Sequence, residues 1–107
     1  MTRITFAALL GCGLLAAAPN AFATEAMVTI DNFTFSPAEI DVTAGSRVTW
    51  TNNDDIPHTV TDADNPRTIK SAPLDTGDSY ARVFDRPGTY RYFCSLHPHM
   101  QGTVVVR

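Results

Sequence analysis

Residues 87–106 read PGTYRYFCSLHPHMQGTVVV. Pro87-Gly88 marks a tight turn, and the residues after it alternate in character, which puts Tyr90, Tyr92 and Cys94 on one face of a strand. A second strand runs from Gly102 to Val106 and is rich in β-branched residues. The connection between them holds a thiol, two imidazoles and a thioether: Cys94, His97, His99 and Met100. Spacing by three in a tight loop brings Cys94, His97 and Met100 back to one side, and His99 then faces solvent. Pro98 fixes its own φ and restricts His97, so the loop is stiff.

Upstream, short apolar-rich segments alternate with turn residues. Ala26 to Ile30 is predicted as a strand, Asn32 to Pro37 as a corner, and Ile40 to Val42 as a second strand. Ala44-Gly45-Ser46 is a turn, and Arg47 to Thr51 alternates strictly. Asn52 to Asp55 breaks that strand, and His58 to Thr61 is predicted to start another. Asp62 to Asp78 is a long polar connection containing Pro66 and Pro73, followed by a strand from Ser79 to Phe84. No window carries a useful helical period. This pattern predicts an all-β fold, an antiparallel two-sheet sandwich. Trp50, Phe33, Phe35, Phe84 and Tyr92 are expected in its core, because a small sandwich needs large apolar fillers.

The first 23 residues, MTRITFAALLGCGLLAAAPNAFA, have a basic start at Arg3, an apolar run and a small-x-small ending at Ala21-Phe22-Ala23. They read as a secretory signal peptide, residues 1–23, with one domain from 24 to 107. An uncleaved anchor and lipidation at Cys12 are the other readings of this segment. The apolar run is short for a membrane span, and none is expected in the mature chain. Loss of Arg3 takes Lys and Arg from 8 to 7 against 11 acids, a net charge of −4. With the acids scattered, nucleic acid is not an expected partner. Export through a bacterial leader implies a periplasmic location. There Cys94, the thiol left once Cys12 departs, must be engaged or oxidise.

Metal ligation would engage it. His58, directly after Pro57, is the well-placed imidazole on another element and joins Cys94, His97 and Met100 as a candidate ligand. Thioether is not a usual zinc ligand, calcium and magnesium want oxygen, and iron–sulfur clusters need more thiolates. Two His, one Cys and a weak axial Met are the donors of a blue-copper centre. Thiolate and thioether favour Cu(I) while imidazole suits Cu(II). A donor set held between the two preferences changes little when one electron moves.

GSRVTWTNNDDIPHTVT, followed at a distance by PGTYRYFCSLHPHMQGTVVV, resembles the cupredoxins, the type 1 blue copper proteins, in their small amicyanin- and plastocyanin-like form. IDNFTFSPAEIDVTAG fits the same pattern, so the resemblance spans the mature chain. It implies a Greek-key β-sandwich with one copper at one end, held by His58, Cys94, His97 and Met100. It also implies an electron port at the exposed edge of His97. One departure is visible: many members carry Asn directly after the first ligand His, where it braces the two ligand loops, and this chain has Thr59.

The resulting expectation is a periplasmic one-electron carrier, monomeric, serving redox proteins such as a cytochrome c or a periplasmic dehydrogenase or oxidase. Pro57, Pro98 and Met100 would form an apolar docking patch, with Asp54 and Asp55 steering a basic partner. A copper chaperone or storage protein would use the same donors, but the chain lacks a second Met- or His-rich cluster. Enzymatic activity is not expected, since Cys94 and His97 come with no orienting third residue.

Overall fold

The computed structural model describes residues 22–107. The predicted leader lies outside them except for its last two residues. The described residues form eight strands: β1 Glu25–Asp31, β2 Thr34–Ser36, β3 Glu39–Val42, β4 Ser46–Asn52, β5 Thr61–Asp62, β6 Ser79–Phe84, β7 Gly88–Cys94 and β8 His97–Val106. They make two four-stranded sheets, ordered β2-β1-β4-β6 and β3-β8-β7-β5. No helix occurs among the described residues, and none is therefore long and apolar enough to cross a membrane. The architecture is a Greek-key β-sandwich.

Alternation does most of the work. Along β4, Ser46, Val48, Trp50 and Asn52 are buried while Arg47, Thr49 and Thr51 are partly exposed. This is the pleat putting every second side chain into the core. Trp50 sits at the centre, 5.3 Å from the Tyr92 ring and 6.3 Å from Phe84, and Phe35 meets Tyr92 edge-on at 4.8 Å. Gly102 lies opposite Tyr92 in the β7–β8 ladder. A side chain there would collide with the Tyr92 ring, so the glycine clears room for the largest filler next to the donor end.

Five expectations need correction. The sheets are not purely antiparallel: β1 runs parallel to β4, and β3 runs parallel to β8. The chain crosses to the other sheet through β3 before returning as β4, and such a crossover lets neighbours run in the same direction. The corner at Asn32–Pro37 contains β2, paired in register with β1 across a two-residue turn. Both turn residues, Asn32 at φ 51° and Phe33 at φ 57°, are left-handed. That is the geometry a tight hairpin demands, and Gly normally supplies it at the second position. Phe33 in that place is not a core residue but is 41% exposed.

The strand expected at His58–Thr61 is reduced to Thr61–Asp62, paired with β7. His58 instead exchanges backbone hydrogen bonds with Leu74, 3.1 Å and 2.7 Å long. Val60 and Asp62 likewise bond back to Ser71 and Ile69. The long polar connection therefore folds onto this segment and buries Ile69 and Leu74, which satisfies backbone groups that no sheet reaches. Finally, β8 begins at His97, with its register slipping between His97 and Gln101. The donor segment is thus the bulged start of a strand rather than a free loop.

Among the described residues, neither the buried Tyr92 hydroxyl nor the buried Trp50 Nε1 reaches a partner with hydrogen-bond geometry, although the two rings are neighbours. Burial pushes the Tyr92 phenol up to about 12. The unfolded chain then loses this proton near pH 10 while the folded one keeps it, so the contribution to stability is intact below pH 10 and declines toward pH 12. The decline amounts to about 2–3 kcal/mol. Tyr92→Phe is expected to remove that alkaline loss and to raise stability at neutral pH by about 1 kcal/mol, by deleting an unsatisfied hydroxyl. Urea melts of both forms between pH 7 and 11.5 check this.

Candidate metal centre

The end of the sandwich where β7 passes into β8 collects the donors. Cys94 closes β7 on its inward face and is fully buried. His58, 36 positions earlier in the chain, is also fully buried and points Nδ1 at Cys94 Sγ from 3.8 Å. His97, half-buried at the start of β8, presents its own Nδ1 to the same sulfur at 3.6 Å. All three donor atoms lie within 4.8 Å of one another. Met100 lies in the bulged stretch, 2% exposed and packed in the same core cluster as Cys94. His99 is exposed, as expected for a residue between the donors His97 and Met100.

Asp54 orients His58. Its Oδ2 accepts the Phe33 N–H at 2.9 Å and meets His58 Nε2 at 2.8 Å. The Phe33 amide first, and His58 after it, hold this carboxyl below the usual carboxylate range. An ionised carboxylate can only accept, so Nε2 carries the imidazole proton and Nδ1 offers a lone pair toward Cys94. Asn52 in turn holds Asp54. Its buried side chain accepts the Asp54 N–H at 2.9 Å and donates to the carbonyls of Ile56 and Leu74 at 2.9 Å and 2.8 Å. The Asn52–Asp55 break is thus a built turn that delivers Pro57-His58 to the site.

Thr59 ties the two donor segments together. Its backbone N–H points at Cys94 Sγ from 3.3 Å. Its hydroxyl accepts the Ser95 N–H at 2.7 Å and lies 2.8 Å from the Ser95 hydroxyl. The brace expected from Asn in this family is made here by a shorter side chain, with Ser95 as its counterpart.

Asp54, only 8% exposed and spoken for, is not a surface steering charge; Asp55 is the exposed one of the pair. Met100 is buried and belongs to no docking patch. The exposed apolar residues at this end are Phe33 and Leu96, at 41% and 49%, together with Pro57 and Pro98. Phe33 reaches the site itself, edge-on to His58 at 5.4 Å and to His97 at 5.1 Å.

The donor set fits a metal. A first-row ion bound by nitrogen at about 2.0 Å and sulfur at about 2.3 Å, between trigonal and tetrahedral, holds these atoms about 3.5–3.7 Å apart. The observed 3.6 Å and 3.8 Å match that separation. Two imidazoles and a thiolate, backed by a buried thioether rather than a further thiolate or carboxylate, select copper over zinc.

Fold and donors together are those of a cupredoxin with one type 1 copper. The chain belongs to the copper binding proteins of the plastocyanin/azurin family, whose model matches residues 22–107. It is 38% identical over 102 residues to amicyanin-alpha of Methylorubrum extorquens, covering 92% of this chain and 86% of that one. It is 37% identical over 84 residues to a plastocyanin of Scenedesmus fuscus, covering 68% of this chain and 86% of the relative. Among solved structures, a purple cupredoxin from Nitrosopumilus maritimus superposes with a TM-score of 0.71 at 35% identity, over 77% of this chain and 99% of that one.

Thr59→Val keeps the N–H to Cys94 but removes the acceptor for Ser95. It is expected to lower stability by about 1 kcal/mol, measured by denaturant unfolding of the metal-free protein.

Proposed function

We propose that this protein is a periplasmic one-electron carrier whose copper is held by His58, Cys94, His97 and Met100. The observation that carries the reading is the convergence of two imidazole Nδ1 atoms on one buried thiol, 3.8 Å and 3.6 Å away, beside a buried Met. Relatives named amicyanin and plastocyanin support it. Bound there, copper supplies a couple between Cu(I) and Cu(II).

The protein's own residues make such a couple usable by holding the donors still. Asp54 fixes the tautomer and direction of His58. The Thr59 N–H directed at Cys94 stabilises a thiolate and limits its movement. Burial of Cys94, His58 and Met100 keeps solvent from adding a ligand as the charge changes. The three buried donors leave His97 as the member nearest solvent, so the shortest route from the donors to a partner runs through its imidazole. Phe33, Leu96, Pro57 and Pro98 around that end form a small apolar contact face suited to brief encounters with a redox protein, with Asp55 at its margin. The monomer has its full donor set within one chain.

Loading with Cu(II) is expected to produce an intense visible thiolate-to-copper charge-transfer band that persists against a moderate chelator. Cys94→Ala is expected to abolish it. A wild-type spectrum without that band, or one unchanged by the substitution, refutes the carrier reading; surrender of copper to the chelator points to a copper donor instead. For the location, N-terminal sequencing of protein recovered from the periplasmic fraction is expected to begin at Thr24. Recovery with residues 1–23 attached counts against export by cleavage.

A further inference from the structure

His58 and His97 are supported unequally. His58 is fully buried and clamped through Nε2 by Asp54. His97 is only half-buried, and its hydrogen-bond contact among the described residues is with Cys94 Sγ, through the nitrogen that faces the donors. Among the described residues, none hydrogen-bonds its other nitrogen. Its ring contacts are with the other donor imidazole, His58, at 4.9 Å, with exposed His99 at 6.5 Å, and with Phe33, which stands perpendicular to it at 89° with centroids 5.1 Å apart.

Phe33 sits where its side chain is least welcome. It occupies the second position of the β1–β2 turn at φ 57°, a conformation that bulky residues rarely adopt and that Gly would accept freely. Nor does core packing explain the aromatic, which remains 41% exposed. A strained, half-exposed aromatic packed against two donor side chains points to the site rather than to the fold.

We propose that Phe33 is the positioning residue for both imidazoles, through two separate parts of itself. Its backbone N–H anchors the Asp54 carboxylate that orients His58. Its ring packs edge-on against His97 and limits the movement of an imidazole that no protein hydrogen bond holds from outside among the described residues. This inference rests on the ligand assignment above, and it separates the two roles by chemistry. Any substitution except Pro keeps the N–H, whereas removing the ring takes a contact from both imidazoles, of which His58 is still held by Asp54 and His97 is not.

The test uses the whole protein with Phe33→Gly, which relieves the turn, and Phe33→Tyr, which restores a ring. Carbon-13 relaxation at the imidazole carbons of the metal-free protein reports each ring's mobility. Phe33→Gly is expected to free the His97 ring and leave His58 as in wild type, and Phe33→Tyr to return His97 to wild-type behaviour. In the Cu(I)-loaded protein, transfer to bathocuproine disulfonate is expected to quicken roughly threefold to tenfold in Phe33→Gly, the size of one aromatic contact, and to recover in Phe33→Tyr. Should Phe33→Gly fail to fold, Phe33→Leu, which keeps bulk without the aromatic face, takes its place in both measurements. Unchanged His97 mobility and transfer rate overturn the proposal. Loosening of both imidazoles together also overturns it, because a merely structural residue would behave that way. The relaxation experiment needs no metal, so it judges Phe33 even if the copper spectrum refutes the carrier reading.

Discussion

The 2.8 Å contact between His58 Nε2 and Asp54 Oδ2 governs the chemistry of this molecule. A buried imidazole has two nitrogens and one proton, and only one arrangement leaves a lone pair facing Cys94. The carboxylate enforces that arrangement because it can only accept. It stays ionised because the Phe33 amide and His58 itself favour the charged form. Without it the same fold would bring an imidazole and a thiol together with no rule for which nitrogen meets the sulfur.

Around that contact the supports form a chain of hydrogen bonds crossing long stretches of sequence. Asn52, at the end of β4, holds Asp54; Thr59 reaches Ser95 and Cys94; Leu74 returns to His58. Thr59–Ser95, Thr59–Cys94 and Leu74–His58 tie together separate segments of the chain, so the donor geometry is a property of the sandwich rather than of one loop. This suits a one-electron function, in which the ligand frame should be indifferent to the charge of what it holds. A bulky residue in a left-handed turn, Phe33, falls against His97, the donor imidazole that the hydrogen-bond network secures least. Strain of this kind persists where the surrounding structure over-determines it.

Much of this was legible in the residues. Alternation located β4, β6 and β7 within a residue or two, since burial of one sheet face imposes a period of two. Cys94 and His97 are three positions apart, so their meeting is nearly a local matter, and His58 was the one upstream imidazole available to join them. Asp54 was misjudged as a surface charge. An acid between Asn53 and Asp55 looks like part of a polar turn, and nothing nearby reveals that its partners lie 21 residues back and 4 ahead. Phe33 was misjudged in the opposite sense, because an aromatic beside a β-strand is usually core. The parallel pairings escaped notice because strand direction depends on which sheet the chain visits in between.

By itself, then, the sequence determined an all-β chain with soft donors gathered near its end and the metal those donors suit. Both follow from short-range rules: side-chain period, turn residues, and the intrinsic preferences of sulfur and nitrogen ligands. Only the tertiary structure decided which acid orients His58, how Thr59 substitutes for a longer brace, and that Phe33 lies over the imidazoles. Asp54 and His58 are only four residues apart, but Asp54 is set by Phe33 21 residues back, Thr59 meets Ser95 across 36 residues, and Phe33 meets His97 across 64; these contacts exist only once two sheets have packed.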